Sequence, residues 1–309
     1  MKKNIAIFLL FFVILSLKNF VYAKTYSLTI YPSLNEVNLT RGDSYTYYIN
    51  LYNSENIPVA INVYAQNFGV AGLNGNVSFI EDKSKLQSAS WFHFKNTSLV
   101  LYPYETVKYP VTVDVPQNAY PGGHYVSIFF QKVNSIKSTP SVGVIPRIGS
   151  LFFITVGGNV YYNAQIKKIS ILSSIFHIGN TYFPLFSMNN IKTSTIIKNL
   201  SNDYIVEKGK VYLENTFNLN KTKYSLPKHI ILQNEARYLN SVIDANIGIG
   251  TYKVYTAIDY GYNQKVIVSK NIIIIPLFFL LLTFFIIFFT LVIILINIIF
   301  NFIKSIYEK

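Results

Sequence analysis

The sequence predicts an all-β protein of two sandwich domains in tandem, followed by one membrane-crossing helix at its C-terminus. Three observations predict it. Short segments rich in Val, Ile, Thr, Tyr and Phe fill the stretch from Lys24 to Asn271. Gly, Pro, Asn and Ser punctuate them about every eight to twelve residues, as in sandwiches built from short strands. From Ile272 to Ile296 no charged residue occurs, and a bilayer core of about 30 Å needs about 20 apolar residues in a helix.

The N-terminus reads as a secretory signal peptide over residues 1–23. Lys2 and Lys3 form a basic start, Ile5 to Leu17 is an apolar core, and Val21-Tyr22-Ala23 puts small residues where signal peptidase reads. Lys18, in the tail of the apolar run, argues against an uncleaved anchor there. Cleavage after Ala23 leaves the bulk of the chain outside the cell membrane. The helix of residues 272–300 is then the only span, and residues 301–309 form a cytoplasmic tail. Lys304 and Lys309 in that tail agree with the positive-inside rule, although Lys265 and Lys270 flank the other side.

Between these ends the expected strands are Tyr26–Ile30, Tyr45–Tyr52, Pro58–Tyr64, Leu99–Leu101, Lys108–Val115, His124–Gln131 and Ser150–Val156, the last with an apolar pattern of burial on both faces. No helix longer than about two turns is expected before the span. The order of signals repeats. Asn53-Ser54-Glu55-Asn56, Leu101-Tyr102-Pro103-Tyr104-Glu105 and Pro121-Gly122-Gly123 in the first half correspond to Asn199-Leu200-Ser201-Asn202, Ile231-Leu232-Gln233-Asn234-Glu235 and Gly248-Ile249-Gly250 in the second. Two immunoglobulin-like sandwiches follow, over residues 24–158 and 159–271, joined near Gly157-Gly158-Asn159. Pro121, Gly122, Gly123, Gly248 and Gly250 are structural turn residues, because glycine tolerates positive φ. Tyr125 and Tyr252 open the strands after these turns, at the edge of each core or free to stack on a sugar.

Composition narrows the function. The 309 residues carry 27 Lys and Arg against 14 Asp and Glu, a formal charge of +13, and no cysteine. Without disulfides each exported domain must build a full apolar core, and thiol chemistry is excluded. The positive charge is spread thinly rather than gathered into the dense stripe that nucleic acid requires. It suits a solvated surface, with attraction to anionic cell-wall polymers as an electrostatic aid. No motif for a nucleophile elbow, zinc protease or phosphate loop is present, and the four histidines, His93, His124, His177 and His229, show no metal-ligand spacing. The sequence therefore reads as non-enzymatic, without cofactor or metal. Sequons fall at Asn38, Asn76, Asn96, Asn199 and Asn220, relevant only in a host that glycosylates exported proteins.

The passage from Ser88 to Val156, with SASWFHF around Trp91, VPQNAYPGGHY from Val115 to Tyr125 and VIPRIGSLFFITV through Arg147, resembles the peptidoglycan-binding domain of the WxL-interacting proteins of bacterial surfaces. The layout of signal peptide, two immunoglobulin-like domains, membrane helix and short tail is similar too. The resemblance implies envelope attachment, with peptidoglycan or another cell-wall polymer, or a WxL-type or other surface protein, as partner. It designates no contact residues. Strand alternation places Trp91 and His93 on one face and Phe92 and Phe94 on the other, so the candidate ligand-binding residues are Trp91, His93 and Tyr125, against a core role for the aromatics.

Two functions stay open at this point. One is a cell-surface structural protein that binds cell-wall glycan or a surface partner through its first sandwich. The other is an assembly or secretion factor that binds extended client segments by strand addition. Thr283, Thr290 and Asn297 share one helix stripe, which can support helix association.

Overall fold

The computed structural model describes residues 28–80, 88–133, 146–179, 181–184, 190–244, 250–261, 264–274 and 277–307. Residues 1–23, expected to be a signal peptide, and Gly248 lie outside the described residues.

Among the described residues, ten strands build the first domain: β1 (Leu28–Tyr31), β2 (Leu34–Leu39), β3 (Ser44–Asn53), β4 (Val59–Ala71), β5 (Asn76–Phe79), β6 (Phe92–His93), β7 (Ser98–Leu101), β8 (Thr106–Asp114), β9 (Gly122–Lys132) and β10 (Arg147–Val156). They form two facing sheets, one in the order β1-β3-β8-β6 and one in the order β2-β10-β9-β4-β5, with β7 also on β4. Strand alternation sends Ile49 and Leu51 of β3, Val111 and Val113 of β8, and Phe130, Phe152 and Ile154 of β9 and β10 into one core. Phe92 and Tyr47 pack edge-on against Phe152 inside it, at 5.2 and 5.7 Å between ring centres.

The second domain repeats the arrangement with β11 (Ala164–Ile171), β12 (Ser174–Ile178), β13 (Thr181–Pro184), β14 (Asn190–Asn199), β15 (Ile205–Asn215), β16 (Lys221–Ser225), β17 (His229–Ile231), β18 (Ala236–Asp244), β19 (Gly250–Asp259) and β20 (Lys265–Ile274). Its sheets run β11-β14-β18 and β12-β13-β20-β19-β15-β16, with β17 on β15. Ile169, Ile197, Ile205, Val254 and Ile258 centre its core. The protein is therefore a tandem of immunoglobulin-like β-sandwiches. The only helical turn before residue 277, among the described residues, is a 3-10 turn at Ser88–Trp91.

The repeat holds at the level of atoms. Asn53 ends β3 and Asn199 ends β14, both fully buried. The Asn53 amide nitrogen donates to the carbonyls of Ile57, Leu101 and Tyr102 at 2.9–3.1 Å. That of Asn199 donates to Asp203, Ile231 and Leu232 at 2.8–3.1 Å. Their side-chain oxygens accept from the backbone N–H of Glu55 and Ser201, and their own N–H groups donate to the carbonyls of Glu105 and Glu235. Even the left-handed residue of the acidic-tipped turn recurs, at Tyr104 and Asn234, with φ of 59° and 58°. This places the sequon residue Asn199 out of reach of a glycan, since its nitrogen is buried and fully used.

In each domain the first chain segment passes from one sheet to the other. β1 pairs with β3, then β2 pairs in parallel with β10, from Leu34↔Leu151 to Leu39↔Val156. In the second domain β11 pairs with β14, and β13 pairs in parallel with β20 at Asn271 and Ile272. Among the described residues, each last strand is thus paired on that flank only toward its C-terminal end.

After β20 comes helix α1 (Leu277–Tyr307), whose stretch Leu281–Asn301 is long and apolar enough to cross a membrane. At 1.5 Å per residue it measures roughly 30 Å. Thr290 donates its hydroxyl to Ile287 O at 2.7 Å and so needs no second helix to satisfy it.

Candidate functional site

Strand β9 is buried on both faces, and the reason lies between the domains. Its even residues, Val126, Ile128 and Phe130, enter the first core. Its odd residues and those of β10 point the other way, where Phe68, Tyr125 and Phe153 meet Leu232, Tyr204 and Ile230 of the second domain. The double-sided burial expected for Ser150–Val156 arises from this seam.

Polar groups border it. Asp203, 1% exposed, accepts from Thr155 Oγ1 at 2.8 Å and from the Tyr162 hydroxyl at 3.1 Å. Burial raises its pKa above the usual aspartate range. Gly123 N donates to Asn202 O at 2.9 Å, and Tyr238 N to Leu73 O at 2.8 Å. Asn202 also holds the linker, donating its side-chain nitrogen to Asn159 O and accepting from Tyr161 N. Pro121-Gly122-Gly123 is thus half of the joint: Gly122 sits at φ +112° with its α-carbon against the Asn202 carbonyl. Gly250 opens β19 at φ +153°, opposite Ile274.

The candidate ligand residues separate. Trp91 is 6% exposed, ends the 3-10 turn and packs on the His124 ring at 4.5 Å. Tyr125 is 9% exposed inside the seam, its hydroxyl accepting from Gln233 N at 3.3 Å. A buried ring has no free face for a sugar, so both are packing residues. The helical turn also breaks the alternation from which Trp91 and His93 were expected to share a face. His93 is exposed and lies 3.2 Å from Asp114. His124 donates Nε2–H to Tyr120 O and accepts from Ser88 Oγ at Nδ1, each at 2.8 Å. Burial holds its pKa below the ordinary value, which keeps the imidazole neutral in this arrangement.

The other notable feature of the first domain is the flank of β10. Residues 147–150 pair with β9 on one side, Arg147↔Gln131 to Ser150↔Ile128, and have no other strand partner among the described residues. Leu151 N–H donates to Ser33 O on the β2 side. N–H groups two residues apart point the same way, so those of Arg147 and Gly149 aim at the open flank. Arg147 stacks its guanidinium 4.3 Å from the Phe129 ring centre and 5.1 Å from Phe79, and donates to the Tyr64 hydroxyl at 3.0 Å. The open flank depends on where β2 stops, which no local pattern encodes.

A buried acid–base pair in the second domain gives a pH test. Glu207 is fully buried, its Oε1 2.8 Å from His229 Nδ1 and its Oε2 without a hydrogen-bond partner. Burial pushes its carboxyl up to about 7, against the pull of the nearby Arg237. Because the folded pKa lies above the unfolded 4.5, this group's contribution is greatest below pH 4.5 and is lost as pH rises through about 7. His229, lowered by burial, acts oppositely, costing stability as pH falls below 6.5. Glu207→Gln is expected to remove the loss between pH 4.5 and 7 and to melt higher than the parent at pH 8. Melting curves at pH 5 and 8 check it, and an unchanged pH dependence would count against the assignment.

No family model and no curated protein matches the chain. Solved structures are similar to it at low identity. One is the class 5 fimbriae chaperone CfaA, 13% identical with a TM-score of 0.43, covering 79% of this chain and 98% of that one. A second is the CsuC–CsuE chaperone–tip adhesion subunit pre-assembly complex of archaic chaperone-usher Csu pili of Acinetobacter baumannii, at 12%, 0.40, 81% and 100%. A third is the Salmonella enterica SafA pilin in complex with the SafB chaperone, at 10%, 0.35, 81% and 97%. Similarity at this level concerns the fold.

Proposed function

We propose that the protein is a non-catalytic, membrane-anchored binding protein of the bacterial envelope that holds an extended segment of an exported partner by strand addition on the open flank of β10. The observation that carries this reading is the half-covered last strand. An uncovered flank offers main-chain donors and acceptors to any extended peptide, and the exposed Arg147 at its start can meet a side chain of the guest. The other flanks of the first domain are less suited. The open part of β8 carries Pro110, which has no N–H to offer, and β1 is four residues long. The signal peptide exports the two sandwiches and α1 tethers them, with Ile274 at the end of β20 close to the start of the helix at Leu277. A WxL-type surface protein is one source of such a segment.

The absence of cysteine makes the test clean, since a photoreactive label on a single introduced cysteine at position 147 reports one place only. Crosslinking in cells is expected to trap an exported protein, and peptides of that protein should slow amide exchange at Arg147 and Gly149. Arg147→Pro, which removes one outward N–H at a strand's first residue, should weaken that peptide about tenfold, the loss of one backbone hydrogen bond at about 1.4 kcal/mol. Exchange at 147 and 149 unaffected by the trapped peptide would sink the proposal.

A further inference from the structure

The outer face of the other sheet of the first domain holds a group of side chains that the strand-addition reading leaves unused. Tyr31, Tyr48 and Tyr52 are 72%, 49% and 37% exposed. They surround Asn50. Tyr48 and Tyr52 flank it along β3, Tyr31 of β1 stands directly across from it on one side, and Lys108 of β8 on the other. The alternate residues Ile49 and Leu51 are fully buried, so the outward direction of this set is fixed by the core beneath. Diagonal neighbours on one sheet face lie about 7–8 Å apart, which is the relation of Tyr31 to both Tyr48 and Tyr52. Those two are about 13 Å apart along the strand.

The chemistry of the set points to one kind of guest. Isolated exposed tyrosines are ordinary on strands, but here three rings converge on an amide. The Asn50 side chain makes no hydrogen bond among the described residues, so it retains two donors and an acceptor for a guest. Lys108, whose Nζ stacks 4.3 Å from the Tyr48 ring centre, is paired with no carboxylate among the described residues. The carboxylate on this face, Asp114, lies at the far end of β8, bound by Ser44 and His93. Flat rings accept the C–H face of a sugar, a free amide reads hydroxyls, and an unpaired ammonium reads a carboxylate. The excess of 27 basic over 14 acidic residues in the whole chain favours the same sign of guest.

We infer that the Tyr31–Tyr48–Tyr52 face around Asn50 and Lys108 is a binding platform for a carboxylate-bearing polysaccharide chain. Its rings are exposed, unlike those of Trp91 and Tyr125. It lies on a different sheet from the β10 flank, and the two sites stand or fall separately.

The test uses the full chain in detergent micelles over immobilised polygalacturonate, with dextran as an uncharged sugar and polyglutamate as carboxylate without sugar. Retention is expected on polygalacturonate, at least tenfold weaker on dextran and absent on polyglutamate. Tyr31→Ala, Tyr48→Ala and Asn50→Ala should each lower affinity for polygalacturonate about tenfold. Lys108→Gln should lower it and flatten its dependence on salt. Arg147→Pro should leave it unchanged. The melting of the Trp91 fluorescence signal confirms that each variant is folded. Equal retention on polyglutamate reduces the effect to charge and overturns the proposal. So does parental retention in a Tyr31→Ala/Tyr48→Ala double variant, or no retention on polygalacturonate.

Discussion

Asn199→Ala is expected to lower the stability of the second sandwich by about 3 kcal/mol or more and its melting temperature by roughly 10 °C. The asparagine nitrogen has two hydrogens serving three buried carbonyls, and its oxygen serves the N–H of Ser201. Truncation removes every one of these partners at once, and a buried polar group left unmade costs about 1–3 kcal/mol. Asn199→Asp separates this account from a packing effect. It keeps the volume and the acceptor to Ser201 but turns a negative oxygen toward three carbonyls, so it should be worse than alanine above the carboxylate's pKa. If aspartate is tolerated as well as the parent, the hydrogen-bond account fails. Asn53→Ala should do the same to the first sandwich. The chain has a single tryptophan, Trp91, in the first core, so its fluorescence follows that domain while circular dichroism follows both. Asn53→Ala should move the fluorescence transition and Asn199→Ala the other.

These asparagines show what kind of information the sequence carries. The turn after β3 and the turn after β14 look alike because each needs the same residue to bind the same three backbone positions, so chemistry repeats where the overall identity of the halves does not. The alternation of YTYYINLY in β3 was legible too, and it already places Tyr48, Asn50 and Tyr52 on one face. Its meaning was not, because Tyr31 and Lys108 join that face only through pairing registers set by distant segments. Trp91 takes the core role, and it does not share a face with His93 for a local reason: Ser88–Trp91 coils into a 3-10 turn, and period-two reasoning assumes a strand. Tyr125 differs from expectation only for a global reason. It sits at the head of its strand as expected, but the surface it covers belongs to another domain.

That seam gives the second large effect. Gly122→Ala is expected to uncouple the two sandwiches while leaving each core folded. A methyl at Gly122 would fall inside the van der Waals envelope of the Asn202 carbonyl oxygen, on a backbone at φ +112° that side-chain-bearing residues avoid. The clash is with backbone, so no rotamer change relieves it, and the Asn202 carbonyl is the one that accepts from Gly123 N. Gly123→Val meets the same joint from its other side, because its β-carbon would press on the Tyr125 hydroxyl and lie 2.7 Å from Asp203 Oδ1. Opening the joint exposes Phe68, Phe153 and Leu232, each 4% exposed in the closed form, and frees Tyr238 N from Leu73 O. Amide exchange at Gly123 and Tyr238 should therefore accelerate about a hundredfold or more, the equivalent of about 3 kcal/mol. Amides in the middle of β9 and β19, such as those of Ile128 and Val254, should keep their protection. Were Tyr238 to remain protected in Gly122→Ala, the two contacts would not belong to one cooperative joint. Were Ile128 to lose protection with it, the first sandwich would depend on the second for its fold. Under the proposed function, the joint would set where the β10 flank points relative to the C-terminal helix.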